Sequence, residues 1–204
     1  MEIKKLLSEI LILGAIVLIL FPVIGMSQAT KDLEGRRILM IIAPSNFHDD
    51  ELEIPKQAFE KKGAEVLVAC KGTEQTKGML GMKIKPDLDI RRVKASEWDA
   101  VVYVGGNGVE KHKVYEDEAY LRVAKDAYER GNVVGAICVA PKILAGADIL
   151  EGKNATAYRT AASYLKDHGA HFTGKAVEVD GRIVTAEGPR AAKEFAERVA
   201  ELLA

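Results

Sequence analysis

The pattern of apolar and polar positions divides the chain into two unequal parts. From Ile10 to Met26 no residue is charged; Lys4 and Lys5 precede the run, and Pro22, Gly25 and Ser27-Gln28-Ala29 mark its end. A run of this length either spans a bilayer as a signal anchor or ends in a signal-peptidase site. A buried core helix is a third reading, disfavoured because its outer face would have no polar residue to meet water. Residues 1–29 are therefore expected to form a signal peptide or transmembrane anchor, residues 30–36 a polar linker and residues 37–204 one folded domain. Basic residues flank the run on both sides, Lys4 and Lys5 against Lys31, Arg36 and Arg37, so the positive-inside rule leaves orientation nearly open. The expected location is membrane-anchored or secreted, with the domain outside the cytoplasm.

Past the linker, short β-rich runs alternate with longer amphipathic stretches, the pattern of a parallel sheet with crossover helices. Arg37 to Ala43 is an apolar run suited to a strand buried on both faces, ended by Pro44-Ser45-Asn46. A helix is expected from about Asp50 to Lys62, with acidic residues in its first turn and Gly63 as its stop. Glu65 to Ala69 predicts the second strand. Gly78 to Ile90 carries two glycines and Pro86 and predicts a small hairpin. Ala100 to Val104 is the next strand, running into Gly105-Gly106-Asn107-Gly108, and Glu118 to Arg130 a helix stopped by Gly131. Val133 to Ile137 is a strand that leads directly into Cys138 and the helical stretch Lys142 to Ala147. Ala155 to Tyr158 predicts a strand, Ala161 to His168 a helix, and Ala176 to Thr185 a hairpin across Asp180-Gly181. From Pro189, Ala192, Phe195, Val199 and Leu202 recur at helical spacing to the end.

Composition narrows the function. With 48% hydrophobic and 29% charged residues the chain has ample material for a core. A formal net charge of -1 and 6% aromatic residues offer no basic stripe or stacking platform, which argues against nucleic acid as partner. A small-molecule carbonyl compound or a peptide comes first. No His, Cys, Asp and Glu positions have metal-ligand spacing, so no metal is expected. The glycines at 105, 106 and 108 lack the G-x-G-x-x-G order, so no nucleotide cofactor is expected either.

The chemistry concentrates in loops at strand C-termini, where ligands of open α/β sheets bind. Cys138 lies at the point where a strand turns into a helix, the geometry of a nucleophile elbow. The following helix N-terminus and the Val139 N–H would lower its pKa and favour the thiolate. Gly105 and Gly106, at the end of the neighbouring strand, would bring backbone N–H groups close enough to stabilise an oxyanion. The competing reading of Cys138 is a small buried hydrophobe at a tight turn; Cys70, ending the second strand, is read as structural. His112 is a secondary candidate near the Gly108 loop, whereas His168 and His171 flank a helix C-terminus.

The segment Val101 to Gly108, followed by Ala136-Ile137-Cys138-Val139-Ala140-Pro141 and by the Gly188-Pro189 turn before the last helix, resembles the PfpI/ThiJ superfamily. The resemblance covers nearly everything after Arg36. It implies a flavodoxin-like three-layer α/β/α sandwich with a mostly parallel sheet, commonly a homo-oligomer. Members include cysteine peptidases, glyoxalase- or deglycase-like enzymes, chaperones and redox sensors. The family nucleophile corresponds to Cys138, and its oxyanion donors to the backbone of Gly106 and Val139. Peptidase-like members have histidine directly after the nucleophile, where this chain has Val139. The family also sets a glutamate from the first loop against the cysteine; aligning Phe47 there puts His48 in that place, with Glu51 one turn further. His48 is therefore expected to act as base or ion-pair partner of Cys138, with Asp49, Asp50 or Glu51 orienting it. Three functions follow: a cysteine-dependent hydrolase of peptides, amides or α-oxoaldehydes; a redox-sensing thiol domain that does not turn over; or a membrane-anchored binding module.

Overall fold

The computed structural model describes residues 33–204. The expected signal peptide or anchor over residues 1–29 lies outside the described residues. Among the described residues no helix is long and apolar enough to cross a membrane.

The main sheet has seven strands: β1 (Arg37–Ile41), β2 (Glu65–Cys70), β5 (Leu88–Asp89), β6 (Ala100–Tyr103), β7 (Val133–Ile137), β10 (Val177–Asp180) and β11 (Ile183–Ala186). Two short pairs stand apart, β3 (Thr76–Lys77) with β4 (Lys83–Ile84), and β8 (Asn154–Ala155) with β9 (His171–Phe172). The sheet order is β10-β11-β7-β6-β1-β2-β5, and every neighbouring pair is parallel except β10 with β11. Helices α1 (Asp49–Lys61), α2 (Asn107–Lys111), α3 (Glu118–Glu129), α4 (Pro141–Gly146), α5 (Ala162–Asp167) and α6 (Ala192–Leu203) complete the domain. Helix α1 packs with α6 and α3 with α4, giving the two helical layers of a flavodoxin-like sandwich.

The causes are local. Strands β6 and β7 are buried at every position, as a sheet covered on both faces requires. In α1, Leu52, Pro55 and Phe59 recur at helical spacing on its buried side. Gly135 in β7 leaves room for the Phe195 ring of α6; a Cβ there would lie 2.9 Å from that ring. The chain leaves β1 toward β2 on one side and returns through β6 on the other, which places a topological switch point between β1 and β6. The carboxyl ends of β1, β6 and β7 lie side by side there.

The predicted elements differ from the observed ones at four places. Leu33 is fully buried and its N–H donates to Lys62 O at 2.8 Å, so residues 33–36 belong to the domain and not to a linker. The expected hairpin over 78–90 exists as β3–β4, but its exit also supplies β5 as an edge strand of the main sheet. The expected strand Ala155–Tyr158 stops at Ala155, because the Thr156 N–H goes to the Thr185 hydroxyl and the Tyr158 N–H to Cys138 O. Helix α2, only five residues long, falls in a stretch read as a glycine loop.

Candidate active site

Cys138 follows β7 directly and adopts φ 65°, a left-handed conformation uncommon outside glycine. Such strain costs of order 1–3 kcal/mol and persists only where neighbours impose it. Here they do: the Cys138 N–H donates to Ala186 O at 2.9 Å and its carbonyl accepts from Tyr158 N at 2.7 Å. The bend turns the side chain out of the sheet plane toward the ends of β6 and β1. The residue is 9% exposed, so the sulfur lies at the edge of the interior and not in its middle.

Glu51 meets it from α1. His48 occupies the N-cap of that helix, and a glutamate three positions later would ordinarily reach back to the N-cap N–H. That N–H is already given to Gly105 O at 3.0 Å. Glu51 turns instead to Gly105, whose N–H donates to Oε2 at 3.0 Å. The carboxyl is fully buried and faces the Cys138 thiol, and its Oε1 has no hydrogen-bond partner. Gly105 is held between the two residues: a Cβ there would lie 2.6 Å from Cys138 Cβ and 2.7 Å from Glu51 Oε2. Only glycine lets the strand end pass between nucleophile and acid.

Burial pushes the Glu51 carboxyl up to about 7. Burial, followed by the negative charge of Glu51, pushes the Cys138 thiol up to about 12, against the Gly106 and Val139 N–H groups, which donate to the sulfur and act in the opposite sense. The pair therefore holds two protons below about pH 7 and one above it, and the sulfur is anionic there only while that proton sits on Glu51. The expected lowering of the thiol is corrected: burial beside the Glu51 carboxylate raises it instead.

Three residue assignments are corrected as well. The group facing the thiol is Glu51, whereas His48 serves the N-cap position with its Nδ1 buried and unpartnered, and it does not contribute to the proton affinity of Cys138. Gly105 is not free to bind an oxyanion, since its N–H holds Glu51; Gly106 and Val139 are the amides directed at the sulfur. Asp49 does not orient a histidine: its carboxylate accepts from Leu80 N at 2.9 Å and Met82 N at 2.6 Å. His112 is paired with the Ser45 hydroxyl at 2.8 Å, and His168 stacks on Tyr164. Cys70 is buried at the end of β2, and burial pushes its thiol up to about 11. Among the described residues no three His, Cys, Asp or Glu side chains gather as metal ligands.

A cavity of about 420 Å³ is lined by Tyr158, Arg159, Glu187, Gly188, Pro189 and Arg190. Of these, the sequence pattern singled out only the Gly188-Pro189 turn. Tyr158 carried no signal, because what matters is its main-chain bond to Cys138 across the fold.

A profile of the DJ-1/PfpI family matches residues 36–202. An uncharacterised protein of Methanocaldococcus jannaschii is 36% identical over 171 residues, which cover 83% of this chain and 83% of that protein. A glutathione-independent glyoxalase of Caenorhabditis elegans is 27% identical over 165 residues, 81% of this chain and 87% of that protein. The crystal structure of a ThiJ/PfpI domain protein from Brachyspira murdochii superposes with a TM-score of 0.80 at 33% identity, covering 83% of this chain and 97% of that one. The elbow cysteine, the inward glutamate and the glycine between them thus sit in a domain whose sequence and fold agree, and the chain belongs to the DJ-1/PfpI family.

Proposed function

We propose that the domain is a cysteine-dependent enzyme of the glyoxalase or deglycase kind, adding water across an α-oxoaldehyde to give a 2-hydroxy acid. The observation that carries this reading is the buried Glu51 carboxyl facing a strained Cys138 whose sulfur receives the Gly106 and Val139 N–H groups. The names of relatives, a glutathione-independent glyoxalase and several deglycases, support it at the level of the family. In this reading Sγ attacks the aldehyde carbon, the thiol proton passes to the Glu51 carboxylate, and the two amides take up the charge on the new alkoxide. Glu51 then returns that proton to the neighbouring carbonyl oxygen and, as the carboxylate again, carries the C1 proton to the neighbouring carbon while the alkoxide collapses, leaving a Cys138 thioester of the 2-hydroxy acid. Water hydrolyses the thioester and restores the thiol. The sum is aldehyde plus water to hydroxy acid, with no external oxidant or cofactor.

The experiment is methylglyoxal consumption with lactate as the assayed product. Cys138→Ser is expected to abolish turnover. The wild type is expected to show kcat/KM rising with pH through about 7 as Glu51 ionises, and Glu51→Gln to lose that rise together with on the order of 10²–10⁴ in rate. Wild-type protein inert toward methylglyoxal, or a Cys138→Ser variant that keeps turnover, would remove the reading.

A second reading rests on the same two amides. They are already directed at the resting sulfur, which favours an oxidised, anionic Cys138 and supports a redox-sensing role. Mass spectrometry after mild peroxide tests it: a gain of two oxygens on Cys138 in a protein without turnover would favour sensing over catalysis.

The uncharged run Ile10 to Met26 supports attachment to, or export across, a membrane as part of either reading. N-terminal sequencing of protein from membrane and soluble fractions checks this; full-length protein confined to the soluble fraction would exclude it.

A further inference from the structure

The cavity beside the elbow is built from two segments strapped to the nucleophile's own backbone. Tyr158 N donates to Cys138 O at 2.7 Å, and Cys138 N donates to Ala186 O at 2.9 Å, one residue before Glu187. The segments are also joined to each other by the Thr156 N–H bond to the Thr185 hydroxyl at 2.9 Å. Each then turns into a short 3-10 segment, Arg159–Ala161 and Pro189–Ala191, so that Arg159 and Arg190 both come to line the same space. At about 420 Å³ it falls in the range of small-molecule sites, roughly 300–1,000 Å³.

The charges in it have no ion-pair partner. Twelve ion pairs occur among the described residues, and none involves Arg159, Arg190 or Glu187. Two guanidinium groups without an ion-pair partner therefore line a cavity whose Tyr158 is bonded to the Cys138 carbonyl. With Glu187 beside them the cavity carries one net positive charge, which suits a monoanion better than a dianion. A guanidinium matches a carboxylate through paired N–H donors, and does so more selectively than an ammonium.

We infer that Arg159 and Arg190 bind the carboxylate of the substrate, so that the preferred substrate is an α-oxoaldehyde carrying a carboxylate at its far end. This rests on the thiol chemistry proposed above, and it adds a specificity determinant that acts on binding and orientation. Tyr158 lines the anion site and joins it to the elbow through its N–H bond to Cys138 O. In this pose the reacting carbon lies at Sγ and the carboxylate end lies against Arg159 and Arg190.

The test compares 4,5-dioxopentanoate, an α-oxoaldehyde with a carboxylate, with neutral methylglyoxal. Wild-type kcat/KM is expected to favour 4,5-dioxopentanoate at least tenfold. The double variant R159Q/R190Q is expected to lose that preference at least tenfold, mainly through KM, while Arg198→Gln on α6 leaves it intact. The same preference in wild type and double variant, or none in wild type, overturns the inference. Methylglyoxal turnover reports on the thiol chemistry separately. Should neither aldehyde react, binding of 2-hydroxyglutarate against lactate by calorimetry still decides the anion site. A tenfold weaker 2-hydroxyglutarate complex in the double variant supports it, and equal affinities exclude it.

Discussion

Three residues, two at strand ends and one in the first turn of α1, make one unit, and each owes its place to a neighbour's main chain. Gly105 illustrates the dependence: its N–H orients Glu51, its carbonyl receives the His48 N–H, and its missing side chain lets Glu51 and Cys138 face each other. Gly105→Ala is expected to cost about 1–3 kcal/mol by overpacking and to lower turnover far more than stability, since the Cβ would fall between carboxyl and sulfur. Urea denaturation beside a methylglyoxal assay checks the two effects separately; a variant with undiminished turnover would show that the close approach is not needed. Glu51 was visible in the sequence as one carboxylate among several. Its role was not, because inward rotation depends on His48 taking the N-cap and on Gly105 accepting the N-cap N–H, neither of which a linear pattern encodes.

At the scale of elements, the site is framed by pieces that hold one another. Asp49 on α1 accepts from Leu80 N and Met82 N, which fastens the loop between β3 and β4 beside the helix start. Met79 in that loop accepts in turn from Asn107 N at the start of α2. Asp49→Ala removes both acceptors from a nearly buried position and is expected to cost about 1–3 kcal/mol. Hydrogen exchange should then quicken at residues 78–82 while β1 and β6 remain protected; unchanged exchange in the loop would show that Asp49 does not hold it. Lys142 makes a comparable link. From α4 it reaches Glu110 on α2 at 2.9 Å and lies 3.5 Å from the centre of the Tyr115 ring, joining the helices that follow Gly106 and Cys138. Helical periodicity announced α1, α3 and α6, and the stretches 142–147 and 161–168 anticipated the short α4 and α5, whereas the five-residue α2 was hidden among glycines.

For the whole molecule, the buried Glu51 imposes a pH dependence on folding. Its carboxyl rises from 4.5 to about 7, so below pH 4.5 it is protonated whether folded or not and contributes nothing. Between 4.5 and about 7 the folded state keeps a proton that the unfolded chain releases, and stability falls as pH rises. Above that window the full cost, about 3 kcal/mol, is in place. Denaturation midpoints across pH 4–8 should therefore decline for wild type and stay flatter for Glu51→Gln; parallel curves would assign the slope to another group. The sequence by itself determined the layered α/β architecture, since strands buried on both faces must read as apolar runs and crossover helices as amphipathic ones. It also determined the elbow at Cys138, because a strand that runs straight into a helix start leaves one residue to make the turn. Only the tertiary structure decided which acid faces the sulfur, which amide is spent on that acid, and that Tyr158 and Arg190 share a wall. Those are relations between residues far apart along the chain, fixed by strand order and by backbone hydrogen bonds that local pattern does not specify.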